Sequence, residues 1–314
     1  MERGIFATMR RLSLPRKTKP MDLQDVLSAV RDARFAQGLR CPRCTGAAIQ
    51  RWGSFSGRQR YRCGKCRRTF SDLTLTAAAY TKRLQLWPRY MICMLAGETI
   101  RCSAARTGIH ACTAFRWRHR ILQRLDAADG TELTGLVEVE ETGFPHSEKG
   151  RRNLPRPARR HGYWPYAPRT LFAPYVCVLT GCDRYGSVIS SVVLRRHPYD
   201  RDVHQHVMAR VRGPSTIMAR YRVPGHYSRA TRQAGHNYVQ VPHFALQADR
   251  PMLHTFNVDA YIRRLRAWLP RFRGVATRYL QHYLAWHRLI DAIGVHGGTS
   301  AMIRSLHHPR KSAE

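Results

Sequence analysis

Acidic side chains are scarce in this sequence: 20 Asp and Glu stand against 54 Lys and Arg in 314 residues, a formal net charge of +34. An excess of that size, spread along the whole length and mostly arginine, calls for a polyanionic partner, because the planar guanidinium fork suits phosphate oxygens. Nucleic acid is the expected partner. There is no run of about 18 apolar residues and no basic amphipathic terminus, which argues against a membrane role. Neither a Gly-rich phosphate loop nor a G-x-S-x-G elbow occurs, so nucleotide hydrolysis and serine chemistry have no support. No secretory leader is legible: Arg10, Arg11, Arg16 and Lys17 have no apolar segment after them, so a reducing cytoplasm is the expected compartment. With 43% apolar residues the chain can bury real cores, in about two or three domains.

What is present is led by cysteine spacing. Cys41 and Cys44 form one C-x2-C pair and Cys63 and Cys66 a second, with 18 residues between the pairs. Four thiolates at that spacing satisfy a tetrahedral Zn2+, the centre of a structural zinc ribbon. Trp52 to Arg62 reads as two strand-like arms around Gly53, Ser54 and Gly57, a turn that returns the second pair to the metal, and Trp52, Tyr61 and Phe70 are candidates for a small core. A disulfide framework is the competing reading. Arg60, Arg62, Lys65, Arg67 and Arg68 surround the cysteines and are candidate DNA contacts. Cys93, Cys102, Cys112, Cys177 and Cys182 read as small buried residues, and the scattered His204, His206, His226, His236, His243 and His254 lack a metal-ligand spacing.

The chain divides along its length. Residues 1–38 read as a basic leader with a short helix, since Leu23, Val26, Leu27, Val30 and Phe35 fall at near-helical intervals. The ribbon takes residues 39–74. Residues 80–126 read as short helices broken at Gly97 and Gly108, with Thr113 near the start of the last one and Arg116, Arg118 and Arg120 along it. That pattern fits a helix-turn-helix-like DNA-binding region; a plain helical linker is the alternative. Residues 134–290 mix strand and helix patterns. Leu136–Glu140, Tyr175–Thr180 and Ser187–Leu194 read as strands, the last two joined as a hairpin at Asp183 to Gly186, with helices at 201–212, around 227–234 and from 257 onward. The class is α/β. Residues 143–172 read as a basic loop, in which Lys149, Arg151 and Arg152, with Arg156, Arg159 and Arg160, are further DNA contacts, and 291–314 as a loose basic tail.

Two places gather acids where chemistry could use them. In Val137-Glu-Val-Glu-Glu-Thr142, strand alternation puts Glu138 and Glu140 on one face and Val137, Val139 and Glu141 on the other. Three carboxylates in four positions are costly unless cations or arginines neutralise them; an exposed edge strand paired with arginines is the plainer account. In Asn257 to Leu269, an apolar stripe of Val258, Tyr261, Ile262, Leu265, Trp268 and Leu269 predicts a helix whose flank carries Asp259, Arg263 and Arg266 at i, i+4 and i+7. That flank fits a metal at one end and DNA phosphate at the other, or an ordinary surface ion pair.

The order of these motifs resembles bacterial insertion-sequence transposases of the ISXO-like type. The resemblance rests on the ribbon with Tyr61-Arg-Cys-Gly-Lys-Cys66, on Thr113-Ala-Phe-Arg-Trp-Arg-His-Arg120, on the Val137–Thr142 strand, and on Phe272-Arg-Gly-Val-Ala-Thr-Arg-Tyr-Leu280 with Tyr283 and Trp286; it covers residues 39–290. It implies a zinc ribbon and a DNA-binding helical region coupled to an RNase H-like mixed sheet with helices. There, acids would hold Mg2+ for phosphodiester cleavage and strand transfer at double-stranded transposon ends, by a homo-oligomer working on DNA at the bacterial nucleoid. Carried over, the first acid falls on Glu140, where the family has aspartate, the third on Asp259, and the basic partners on Arg263 and Arg266. The second belongs near Ile217 to Val223, yet no Asp or Glu occurs between Asp202 and Asp249. Three readings follow: a transposase by descent with a degenerate catalytic site, an active one that recruits Asp183, Asp200, Asp202 or Asp249, and a non-catalytic zinc-ribbon DNA-binding protein. The first is preferred.

Overall fold

The structure is a computed structural model describing residues 22–154, 175–194, 197–220, 225–242 and 252–296. The chain parts into two compact units, residues 1–128 with 298–314 and residues 129–297.

The first unit opens with α1 (Leu23–Arg34), where Asp22 accepts the Asp25 backbone N–H at 2.8 Å and Asp25 returns the bond to the Asp22 N–H. Strands β1 (Ile49–Phe55), β2 (Arg58–Cys63) and β3 (Thr69–Ser71) follow as an antiparallel sheet in chain order. Alternation along β2 turns Tyr61 and Cys63 inward, where Tyr61 stacks on Phe70 at 5.3 Å beside Cys41. Trp52, expected in that core, is 45% exposed on the outer face of β1, with the Arg62 guanidinium 4.5 Å over its ring. The leader helix also touches the ribbon. Arg31 pairs with Asp72 at 3.3 Å and Arg34 donates to the Asp72 carbonyl at 2.7 Å, so α1 is tied to the end of the ribbon.

Three α-helices follow in the described residues of the unit: α2 (Trp87–Leu95), α3 (Ile100–Thr107) and α4 (Ala111–Ala127). Thr99 caps α3 by accepting the Cys102 N–H, Gly108 leaves it at φ +67°, and His110 caps α4 through Nδ1 from the Cys112 N–H. A left-handed exit costs glycine nothing, so a three-residue turn suffices. Trp87 and Tyr90 of α2 pack on Trp117 of α4 at 5.9 and 5.4 Å, and the Tyr90 hydroxyl donates to the Ala114 carbonyl.

The second unit is built on β4 (Leu133–Pro145), β5 (Tyr175–Asp183), β6 (Val188–Val193), β7 (Val211–Arg220) and β8 (Asn237–Val241), in the order β6-β5-β4-β7-β8. The first three run antiparallel as a meander; β7 lies parallel to β4, and β8 parallel to β7. This is a mixed sheet of the kind the RNase H-like expectation calls for. On one face Val137, Val139 and Ile217 share a core with Val203 and Val207 from α5 (Asp200–His206) and its exit, and with Tyr227 and Ala230 of α6 (His226–Gln233). On the other lies α7 (Phe256–Trp268), over Glu138 and Glu140, followed by α8 (Thr277–His296). Two expectations give way. The helix read at 201–212 stops at His206, because Val211 and Arg212 already pair in parallel with Leu133 and Thr134. Strand β8 lies where no element was expected.

Phe272, Tyr283 and Trp286, the aromatics of the family-like segment, close with Trp268 into one cluster; Phe272 lies 4.9 Å from Tyr283 and 5.4 Å from Trp286. Their role is packing, each burial contributing about 1.5–3 kcal/mol. Thr277 at the head of α8 exchanges two 2.8 Å hydrogen bonds with Ser147 just past β4, which fixes α8 to the sheet.

Candidate functional site

Cys41 and Cys44 sit before β1, Cys63 at the end of β2 and Cys66 before β3, so the sheet itself brings the two pairs together. Their sulfurs lie within 4.8 Å of one another, with 3.6 Å between Cys41 and Cys66 and 3.5 Å between Cys44 and Cys63. A tetrahedron with Zn–S bonds of about 2.3 Å has edges of about 3.8 Å, so the donor set fits zinc with almost no adjustment. The two turns are alike: the residue after each second cysteine, Thr45 and Arg67, takes a left-handed conformation at φ +58° and +56°. Backbone N–H groups of Cys66 and Lys65 point at Cys63 and push its thiol down to about 7, the form a metal needs. At Cys44 the Gly46 N–H works the same way, but burial and the three neighbouring thiols prevail and raise it to about 11. Four sulfurs held so close call for a cation.

The acidic strand divides its glutamates by role. Glu138 is fully buried and fully engaged: Oε1 accepts from Asn257 Nδ2 at 2.9 Å and lies 2.5 Å from the Arg184 guanidinium, while Oε2 accepts the Val258 N–H at 2.9 Å. It is an anchor for the N-terminus of α7, where a carboxylate meets unpaired backbone donors and the positive end of the helix. Burial raises its pKa, against the Val258 N–H, Arg184 and Asn257. Arg184 reaches on to the Met252 carbonyl at 2.8 Å and to His254 Nδ1 at 3.2 Å, so the β5–β6 turn, β4 and the approach to α7 meet at this one carboxylate. Glu141 faces the opposite side, 3.5 Å from His197.

Glu140 and Asp259 are brought together, and what joins them is Arg220. The parallel register sets Glu138 beside Met218 and Val139 beside Ala219, so Arg220, next along β7, emerges on the same face as Glu140. Arg220 Nε lies 3.3 Å from Glu140 Oε2, close but not aligned for a hydrogen bond, and its Nη2 makes a short ion pair with Asp259 Oδ1. All three side chains are 16–22% exposed. Burial pushes Glu140 up to about 7; Arg220 opposes the shift, Glu141 adds to it and Arg266 opposes it. Sequence reasoning found both acids and missed the arginine between them, though its signal was present: once β7 is paired in parallel with β4, the charged residue that β7 sets beside Glu140 is Arg220.

A catalytic Mg2+ does not fit here. Divalent metal chemistry needs carboxylates converging on the ion, and here two carboxylates converge on a guanidinium. Among the described residues the four cysteines are the only group of three or more His, Cys, Asp or Glu side chains close enough to share an ion. Three of the four substitute acids are committed elsewhere. Asp183 accepts the Tyr185 and Ser187 N–H groups of its turn, Asp200 takes both arms of Arg229, and Asp202 accepts the Tyr199 N–H at the head of α5. Asp249 lies outside the described residues, as do Tyr221 to Val223 and Arg156, Arg159 and Arg160.

Arg263 and Arg266 are exposed on α7, as are Lys65, Arg67 and Arg68 on the ribbon, Arg116 and Arg120 on α4, and Arg151 and Arg152 after β4. Arg60 and Arg62 are half-buried on the outer face of β2, Arg60 donating to Thr69 Oγ1. Two expected phosphate contacts are placed otherwise. Arg118 is fully buried and donates to the Glu98 carbonyl at 2.7 Å and to Ser103 at 3.2 Å, because the inward face of α4 falls on it rather than on Arg116. Lys149 spends its ammonium on the carbonyls of Phe272, Arg273 and Gly274, at 2.9, 3.2 and 2.9 Å.

Residues 24–69 match the family model of the transposase zinc-ribbon domain, a span that takes in all of α1 but its first residue. Over 131 residues the chain is 33% identical to an uncharacterized protein in transposable element ISH50 of Halobacterium salinarum, a match covering 41% of this chain and 44% of that one. The chain thus spans less than half the length of the curated relative it matches. Two solved structures, the Mos1 strand transfer complex and a pre-cleavage Mos1 transpososome, are similar over 64% of this chain and 74% and 75% of theirs, at 14% and 12% identity. Their TM-scores, 0.23 and 0.22, are too low to define the fold, which stands on its own strand order. Among the described residues no helix is long and apolar enough to cross a membrane.

Proposed function

We propose that this chain is an insertion-sequence transposase by descent that holds double-stranded DNA and no longer performs metal-dependent cleavage or strand transfer. The transposase zinc-ribbon match and the relative in a transposable element support the lineage. The net charge of +34, with exposed arginines on the ribbon, α4 and α7, supports a DNA partner. The observation that carries the loss of chemistry is Arg220 between Glu140 and Asp259. A guanidinium is charged at every accessible pH, so the acids already have their cation. A divalent ion would have to displace it and would find two carboxylates, where two-metal catalysis needs a bridging ligand between ions roughly 3.5–4 Å apart. Binding as a homo-oligomer on transposon ends, within the nucleoid of a bacterium, completes the reading.

The test is direct. The full chain is incubated with duplex carrying the ends of its own element, with Mg2+ or Mn2+, and products are read on a denaturing gel. No nick above the metal-free control is expected, while duplex retention falls steeply with salt. Cleavage by the unaltered chain that disappears in Glu140→Ala would overturn the reading and direct attention to Asp249.

A further inference from the structure

The geometry points to the β1–β2 hairpin of the ribbon as a DNA-reading element, one that enters a groove of duplex DNA tip first with Phe55 against base edges. This rests on the DNA-binding part of the function proposed above.

The ribbon core is filled without the hairpin's aromatics. Tyr61 and Phe70 close it, while Phe55 at 67% and Trp52 at 45% exposure stay in solvent. Two large apolar side chains left outside on one short hairpin mark a contact surface. Its charge selects the contact: no Asp or Glu occurs between Asp32 and Asp72, and Arg51, Arg58, Arg60 and Arg62 lie on the two strands. The shape agrees. Ser56 and Gly57 both take positive φ, +50° and +70°, so a tight two-residue turn holds Phe55 and Arg58 as a facing pair at the tip. A bulge between Arg51 and Ser54, with Gly53 at φ +66°, adds local twist to the hairpin. A two-stranded ribbon is what the major groove, about 12 Å wide, admits. Phe55 would reach base edges or a thymine methyl, Arg51 and Arg58 the phosphates on either side. Arg62 lies over the ring of Trp52, which is 45% exposed.

The experiment presents a random-sequence duplex library to the full, zinc-loaded chain and to Phe55→Ala, Trp52→Ala and Arg58→Ala, after confirming that each variant still holds one zinc. The unaltered chain is expected to enrich a motif. Phe55→Ala should bind that motif about tenfold more weakly, the scale of one aromatic–base contact, while keeping its salt slope, and should lose selectivity at adjacent positions of the motif only. Arg58→Ala should lower the slope by about one with the motif unchanged. All variants enriching the same motif with the same affinity would overturn the hairpin's role and leave DNA binding standing. A chain that retains no duplex at all would overturn DNA binding and, with it, the hairpin's role. Loss of binding to phosphatidylserine vesicles in Phe55→Ala, with duplex binding unmoved, would assign the tip to a membrane surface instead.

Discussion

Arg220 of β7 and Asp259 of α7 form an ion pair directly beside Glu140, so a strand residue and a helix residue that lie far apart in sequence share one charge centre. Each carboxylate alone would be poorly solvated there. Together with the arginine they form one charge centre in which a guanidinium stands between the two carboxylates.

Replacing that arginine with an acid should reverse its sign and its use. Arg220→Asp is expected to create a three-carboxylate cluster with Glu140 and Asp259 that takes up Mn2+ at neutral pH, read by titration calorimetry, where the unaltered chain takes up none at this site. Equal Mn2+ uptake by both proteins, outside the cysteines, would show that the arginine does not exclude the metal.

Removing the charge of Glu140 should stabilise the second unit at high pH. Its folded pKa, pushed up to about 7, lies above the ordinary carboxylate value, so the native state binds the extra proton. Its contribution is therefore fully present below about pH 4.5 and is lost as pH climbs toward 7. Glu140→Gln should flatten that decline and gain on the order of 1–3 kcal/mol at pH 8 in denaturant unfolding. A variant that is less stable than the parent at pH 8 would mean that pairing with Arg220 outweighs burial.

Arg116 and Arg118, two positions apart on α4, should behave oppositely. Arg118→Ala is expected to destabilise the first unit by about 2–4 kcal/mol, since it empties a packed site and leaves the Glu98 carbonyl and Ser103 without a donor. Arg116→Ala should leave stability unchanged and lower the salt slope of DNA binding by about one. An unaltered melt in Arg118→Ala would contradict its burial.

Zinc should be stoichiometric and structural. Elemental analysis should find one Zn2+ per chain, and Cys63→Ser should lose it together with the near-ultraviolet signal of the Tyr61–Phe70 stack. The unit at 129–297 should melt as before. A ribbon that keeps its aromatic signal in strong chelator would show that the metal is not what holds it.

Much of this architecture is legible in sequence because its signals are local. The C-x2-C pairs declare the metal site, and Gly108 marks the turn between α3 and α4. The stripe within Asn257 to Leu269 predicts α7 to within a residue at each end. What stays hidden depends on pairing between distant segments. Nothing near Arg220 announces that it faces Glu140; that follows only once β7 lies parallel to β4 in a fixed register. The inward turn of Arg118 is similar, because helical phase alone leaves a charged residue free to point either way until its neighbours are known. Trp52 misleads for the opposite reason: aromatics suggest a core, and the bulge at Gly53 together with strand alternation turns this one outward. Strand β8, five residues long, carries too short an alternation to stand out.

Glu138 shows that an acid on a central strand can serve the fold alone. Its carboxylate seats the first turn of α7 and the Arg184 turn, a structural use that is independent of any reaction nearby. A glutamate on a central strand can therefore be held in place by architecture alone. A census of acids along such a strand measures ancestry; what measures present chemistry is whether each oxygen is still vacant for something that comes and goes.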